Sequence, residues 1–167
     1  MSLSREAIVE GLRGILGPEA VVTDERVLVE NSVDNFRKLQ NIFDVHVMPV
    51  PAAIVTPTNA REVAAVLTWA NEHGVNVIPK TGGTATEGGL ESAVPDSVIM
   101  DGSAMNEIVK IDPYNMQATV QCGVPLQVLE DRVREHGLTT GHSPQSKPVA
   151  HLGGLVATRS IGQFSTL

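Results

Sequence analysis

The chain has 167 residues with 12 basic and 19 acidic side chains, a formal charge of −7. Hydrophobic residues make up 42%, but only five are aromatic (Phe36, Phe43, Trp69, Tyr114 and Phe164), so the core must be packed by Val, Ile, Leu and Ala in layers of strands and helices. The scattered basic residues exclude a nucleic-acid partner, the lone Cys122 excludes a disulfide framework or multi-cysteine metal site, and no apolar run approaches the ~20 residues of a membrane span. The start, Met1 to Arg5, lacks the apolar stretch of a signal peptide, which predicts a cytoplasmic protein. The end, Gly162 to Leu167, has no stop signal and no polar tail, so the chain reads as a piece of something longer.

In chain order, residues 4–16 place Ile8, Val9, Leu12, Ile15 and Leu16 on one helical face, with Ser4 as cap and Gly17-Pro18 as stop. Residues 21–50 have no regular pattern. Ala53 to Thr56 reads as a short buried strand. Asn59 and Glu62 have capping-box spacing before a helix whose face carries Val63, Val66, Leu67 and Ala70, ended by Gly74. Val75 to Ile78 is the next strand, so the spacing predicts a compact βαβ crossover with parallel strands. Further strands are predicted over 97–101, 107–111 and 116–122, the last including Cys122 as a small buried residue. Asp112-Pro113-Tyr114-Asn115 forms the turn of an antiparallel hairpin. A helix over 124–136 and a short strand over 138–140 complete an α+β architecture.

Two stretches carry chemistry. Pro79-Lys-Thr-Gly-Gly-Thr-Ala-Thr-Glu-Gly-Gly89 combines glycines that leave backbone N–H groups open, hydroxyls on Thr81, Thr84 and Thr86, and the Lys80 ammonium. That set suits a phosphate or pyrophosphate. It is neither a P-loop, since Gly88 is followed by Gly89-Leu90, nor the G-x-G-x-x-G fingerprint, since it follows the second strand. The plain alternative is a flexible surface loop. The second stretch, Gly141 to Gly162, holds Gly153-Gly154 and the donor-rich run Thr158-Arg159-Ser160. A short helix over 152–158 would present free N–H groups to an anion, and the two loops together could close on a long diphosphate ligand.

The order Pro79-x-x-Gly-Gly-Thr-Ala, Ile99-Met-Asp101, Met105-Asn106, Asp112, Gly141-His142, Gly153-Gly154 and Thr158-Arg159-x-x-Gly162 resembles the FAD-binding domain of the vanillyl-alcohol oxidase/p-cresol methylhydroxylase flavoproteins. Within that superfamily, Gly-His-x-Pro-x-Ser and Val-x-Thr-Arg look most like alkyldihydroxyacetonephosphate synthase, followed by glycolate oxidase and D-lactate dehydrogenase flavoproteins. The resemblance implies two α+β subdomains with FAD between them: a small parallel βαβ unit, then a mixed or antiparallel sheet with helices. Residues 1–50 would be a helical lead and 51–167 the FAD-binding domain, without its substrate domain.

It further implies a cofactor site. Pro79, Lys80, Thr81, Gly82, Gly83, Thr84 and Ala85, with Gly88 and Gly89, would hold the pyrophosphate. Gln145, Ser146 and His151 would line the pyrophosphate and ribityl chain, and Gly153, Gly154, Thr158, Arg159, Ser160 and Gly162 would approach the flavin. The sequence departs from the family at Gln145, where an acidic residue is usual, and at Ala150-His151, where a Ser-Thr pair is usual. Some relatives carry a covalent flavin on a histidine where this chain has Thr84, which implies non-covalent FAD as far as this loop is concerned. No catalytic residue and no metal ligand is nominated. Lys80 and Arg159 are candidate anion contacts, and His142 and His151 candidate hydrogen-bonding partners of the cofactor. His73 and His136 read as helix-end residues, and Trp69 and Met105 as core. The leading function is a flavin-dependent oxidoreductase of a small 2-hydroxy acid or alcohol, with a second copy of the chain as a candidate partner. The alternatives are a flavin-dependent alkylglycerone-phosphate synthase-like transferase and a phosphate- or nucleotide-binding module without redox chemistry.

Overall fold

In the computed structural model, which describes residues 3–163, six helices and six strands form two units. Phe164 and the terminal stretch to Leu167 lie outside the described residues.

Helix α1 (Arg5–Leu16) begins at Ser4, whose hydroxyl accepts the Ala7 N–H, and ends at Gly17 with φ +85°. Its Ile8 and Leu12 are buried, with Val9, Ile15 and Leu16 packed beside them. The stretch without a sequence pattern contains three short elements: β1 (Val21–Val22), α2 (Glu25–Glu30), capped by the Asp24 carboxylate, and α3 (Lys38–Ile42). Next come β2 (Ala53–Val55) and α4 (Ala60–His73). The Asn59 side chain accepts the Arg61 and Glu62 N–H groups. Glu62 reaches back to the Thr58 N–H at 2.6 Å, one residue earlier than a standard box. On α4, Val66 and Ala70 are buried whereas Leu67 is exposed, a correction to the predicted face.

The parallel unit differs from the expected crossover. Strands β2, β3 (Val77–Lys80) and β4 (Val98–Asp101) are all parallel, but β4 lies between the other two in the order β1-β2-β4-β3, with β1 antiparallel to β2. Strand β4 therefore belongs to this first sheet and not to the antiparallel part. Pro79 explains the order: a residue without an N–H is tolerated on an edge strand, and β3 is the edge. Side chains alternate across the sheet. Ala53, Val55 and Val98 face Leu12 and Val66 of α1 and α4, while Ile54, Ile78 and Ile99 face Leu28 of α2. Residues of the 1–50 lead thus share both cores with the sheet. Trp69 packs half-buried on the first of them.

The second unit is the hairpin β5 (Ile108–Asp112) and β6 (Gln117–Val120), with α5 (Leu126–Arg134) and α6 (Leu152–Ala157). Its core joins Val124, Leu129 and Val133 to Ile108, Ile111, Val120, Leu138 and Leu152. Strand β6 ends before Cys122, which is half-buried and outside the ladder. No strand forms over 138–140. Glu130, 1% exposed, takes that segment's polar groups: it accepts the Thr139 hydroxyl at 2.8 Å, the Thr140 N–H at 2.9 Å and the Thr140 hydroxyl at 2.6 Å. Arg134 pairs with it at 2.7 Å.

Burial would raise the Glu130 carboxyl, but the Thr140 and Thr139 donors and the Lys147 ammonium outweigh it and hold its pKa at about 2. Because this pKa is depressed on folding, the stabilisation is present above the ordinary value of 4.5 and is lost as pH falls toward about 2. Glu130→Gln is expected to destabilise the protein by about 3 kcal/mol at pH 7 and to flatten that acid limb, read by urea denaturation at pH values across it.

Candidate functional site

The parallel strands carry their C-terminal ends to one edge of the sheet, where α/β folds place ligands. From these ends leave Pro57 after β2, the glycine-rich loop after β3, and Gly102 to Met105 after β4. The second unit closes against this edge through Cys122 and the start of α6. Between them lies a cleft of about 380 Å³.

Close approach of the two units depends on small residues. A Cβ at Gly82 would overlap the Val149 carbonyl oxygen and lie 2.9 Å from the His151 nitrogen. A Cβ at Gly123 would overlap the Gly102 carbonyl oxygen and lie 2.8 Å from the Met105 and Ser103 carbonyl oxygens. Gly83 instead needs its conformation, φ +65°.

Twelve of the predicted site residues line the cleft: Pro79, Lys80, Thr81, Gly82, Gly83, Thr84, Ala85, Gly89, His151, Gly153, Gly154 and Thr158. Among the described residues, no protein acceptor lies opposite the amide N–H groups of Gly82, Gly83, Thr84 and Ala85. The loop thus offers a run of open donors beside the Thr81 and Thr84 hydroxyls.

Six predicted residues are not brought to the cleft lining: Gly88, Gln145, Ser146, Arg159, Ser160 and Gly162. Gly88 turns its N–H to the Asp34 carboxylate at 2.5 Å. Gln145 is exposed, and the Ser146 carbonyl accepts the Val149 and Ala150 N–H groups in a turn. Arg159 is exposed with φ +49°. Gly162 packs on Pro144, where a Cβ would lie 2.6 Å from the Pro144 nitrogen. His142 also lies off the lining.

Two chemical expectations change. Lys80 lines the cleft, but its ammonium lies 3.5 Å from Asp101 Oδ2 and donates to Asn31 Oδ1, so its charge is largely matched inside the protein. The first amides of α6 are also not open: Leu152 donates to the Val124 carbonyl at 2.9 Å and Gly153 to the Cys122 carbonyl at 2.8 Å.

His151 meets the cleft from the second unit, as does Thr158. The His151 Nδ1 is buried without a hydrogen-bond partner among the described residues. Burial lowers its pKa and so favours the neutral ring, partly opposed by the Asp101 carboxylate. Cleft residues absent from the sequence prediction are Pro57, Val63, Leu90, Met100, Gly102, Met105, Cys122 and Ala157. Met105 and Cys122 were expected in the core. Their apolar character gave no local signal, because the cleft wall forms only when the two units meet.

The FAD binding domain family matches residues 51–167, and the chain belongs to that family. Over 167 residues it is 60% identical to the uncharacterized FAD-linked oxidoreductase YgcU of Escherichia coli K12, covering 100% of this chain and 34% of that protein. Over 157 residues it is 30% identical to D-lactate dehydrogenase (cytochrome) 1, mitochondrial, of Saccharomyces cerevisiae, covering 86% of this chain and 26% of the relative. A solved alkyldihydroxyacetonephosphate synthase superposes with a TM-score of 0.84 at 26% identity, covering 96% of this chain and 30% of that one. The chain thus spans about a third or less of the length of these proteins.

Two glycines separate packing from space. Gly82→Ala is expected to cost about 2 kcal/mol, because the Val149 and His151 backbone must shift. Gly154→Ala meets only the Thr81 hydroxyl at 3.4 Å, and should change stability by less than about 0.5 kcal/mol. Thermal denaturation of both variants checks the contrast.

Proposed function

We propose that this chain is the FAD-holding part of a flavin-dependent oxidoreductase acting on a small 2-hydroxy acid or alcohol, with FAD held non-covalently. The observation that carries the cofactor reading is the run of open amides at Gly82–Ala85 at the C-terminal edge of a parallel sheet, inside a domain of the FAD-binding family. The donor set fits a diphosphate: backbone N–H groups and hydroxyls bind it without a metal. Gly82 to Ala85, Thr81 and Thr84 would hold it, and the buried Nδ1 of His151 would supply one directed contact from the opposite wall. The wall formed by Val63, Leu90, Met100 and Met105 would exclude water. When bound, FAD supplies the redox chemistry itself, and the protein contributes binding and orientation.

The substrate class rests on the likeness to D-lactate dehydrogenase. The likeness to alkyldihydroxyacetonephosphate synthase supports a second reading, flavin-dependent alkyl transfer onto an acylated dihydroxyacetone phosphate. Rapid mixing of the flavin-loaded protein with D-lactate and related 2-hydroxy acids separates them. Bleaching of the flavin absorbance supports the oxidoreductase. No bleaching, together with turnover of the acylated ketose phosphate, would favour the transferase. Acid precipitation should leave the yellow colour in the supernatant, since Thr84 offers no attachment point for the flavin.

Because Lys80 is paired with Asp101, FAD affinity should depend weakly on salt. The dissociation constant is expected to change less than about three-fold between low salt and ~0.5 M sodium chloride, measured by fluorescence titration. A steep rise would show that an unpaired cation carries the binding.

A further inference from the structure

We propose that residues 31–37, which precede the segment matched by the family, form a clamp that pre-organises the glycine-rich loop for the diphosphate, with Asp34 as its positioning residue. The inference rests on the FAD reading above and adds a source for the loop's order.

The loop has a conformational problem of its own. A segment whose amides at Gly82–Ala85 meet no protein acceptor gains nothing from its own hydrogen bonds, so ordering it on binding would cost conformational entropy. The structure supplies the order from outside the loop. At the entry stem, Asn31 Oδ1 accepts from the Lys80 ammonium. In the middle, the Ala85 carbonyl accepts the Asn35 N–H at 3.0 Å. Gly88 donates its N–H to Asp34 Oδ2 at 2.5 Å. At the exit, Ser92 donates its N–H to the Ser32 carbonyl at 2.9 Å, and the Arg37 guanidinium lies 3.5 Å from Glu91.

Asp34 is central to this set. Its carboxylate is 1% exposed, with Oδ1 accepting the Phe36 N–H at 3.1 Å and the Arg37 N–H at 3.3 Å while Oδ2 takes Gly88. Among the described residues it has no cation within ion-pair distance. Three backbone amides therefore satisfy it, two from its own turn and one from the loop. This is the geometry of a bracket. It joins the turn at 34–37 to Gly88, a residue at φ +82° that sits next to the cleft-lining Gly89.

The test uses the full chain and the Asp34→Asn variant, in which one of the two oxygen acceptors becomes an amide donor. Either the Gly88 N–H or the N–H groups of the turn at 34–37 then lose their acceptor. In the absence of FAD, D34N should speed hydrogen exchange at the hydrogen-bonded amides that tie the turn to the loop, those of Asn35, Gly88 and Ser92, while the β2 and β4 amides keep their protection. At a temperature where its far-UV spectrum matches the parent, its FAD dissociation constant should rise about ten-fold. Asn31→Ala, at a half-buried position, should weaken FAD in the same direction, and it carries the test if D34N does not fold. FAD affinity within about two-fold of the parent for the folded variants, whatever their thermal midpoints, would reduce the clamp to an ordinary structural contact and overturn the proposal. A parent chain that quenches no flavin fluorescence would overturn the cofactor reading and this inference with it.

Discussion

The position of β4 is the constraint on which the rest of the structure depends. Val98 and Ile99 are both 1% exposed and face opposite sides of the sheet, so this strand needs a neighbour on each edge and a helix layer on each face. Strands β2 and β3 supply the edges, α1 and α4 one face, and α2 the other. Once β4 is central and parallel to both neighbours, three strand ends converge, and the glycine-rich loop, the turn at Gly102 and Pro57 become walls of one cleft.

The second unit completes that cleft by close packing more than by charge. Gly82 and Gly123 each lie where a Cβ would press on the backbone of the opposing unit, and Gly102 where it would press on the Cys122 side chain. The Lys80 ammonium at the cleft is matched by Asp101. What remains open is a set of neutral donors and one buried imidazole nitrogen. An acidic chain with a net charge of −7 can hold a diphosphate in such a place, because nearby backbone dipoles act at hydrogen-bond range while the overall field is screened by salt.

Much of this was legible in local pattern. The helix caps at Ser4 and Asn59, the hairpin turn at Asp112 and the glycine-rich loop each follow from residues within a few positions of one another. The strand order was not, although Pro79 carried a sign of it: reading the strand as ending at Ile78 removed the one residue that marks β3 as an edge. The lead over 21–50 was opaque because its elements are short and gain their order from β2, the sheet face and the loop rather than from their own periodicity. Gln145, Ser146 and Arg159 have the right chemistry for an anion, but they are not among the residues that line the cleft.

By itself the sequence determined the element types, the donor-rich loop and the class of ligand that loop suits, since propensity, capping and open amides are properties of neighbouring residues. Only the tertiary structure decided which donors stay open. Lys80 and the first amides of α6 are occupied by Asp101, Asn31 and the carbonyls of Val124 and Cys122, partners distant in sequence. It also decided that Met105 and Cys122 line a cleft instead of filling a core, and that Asp34 braces a loop more than fifty residues away. Each of these depends on which segments the buried central strand draws together, and that is a property of the packed sheet and not of any stretch of chain.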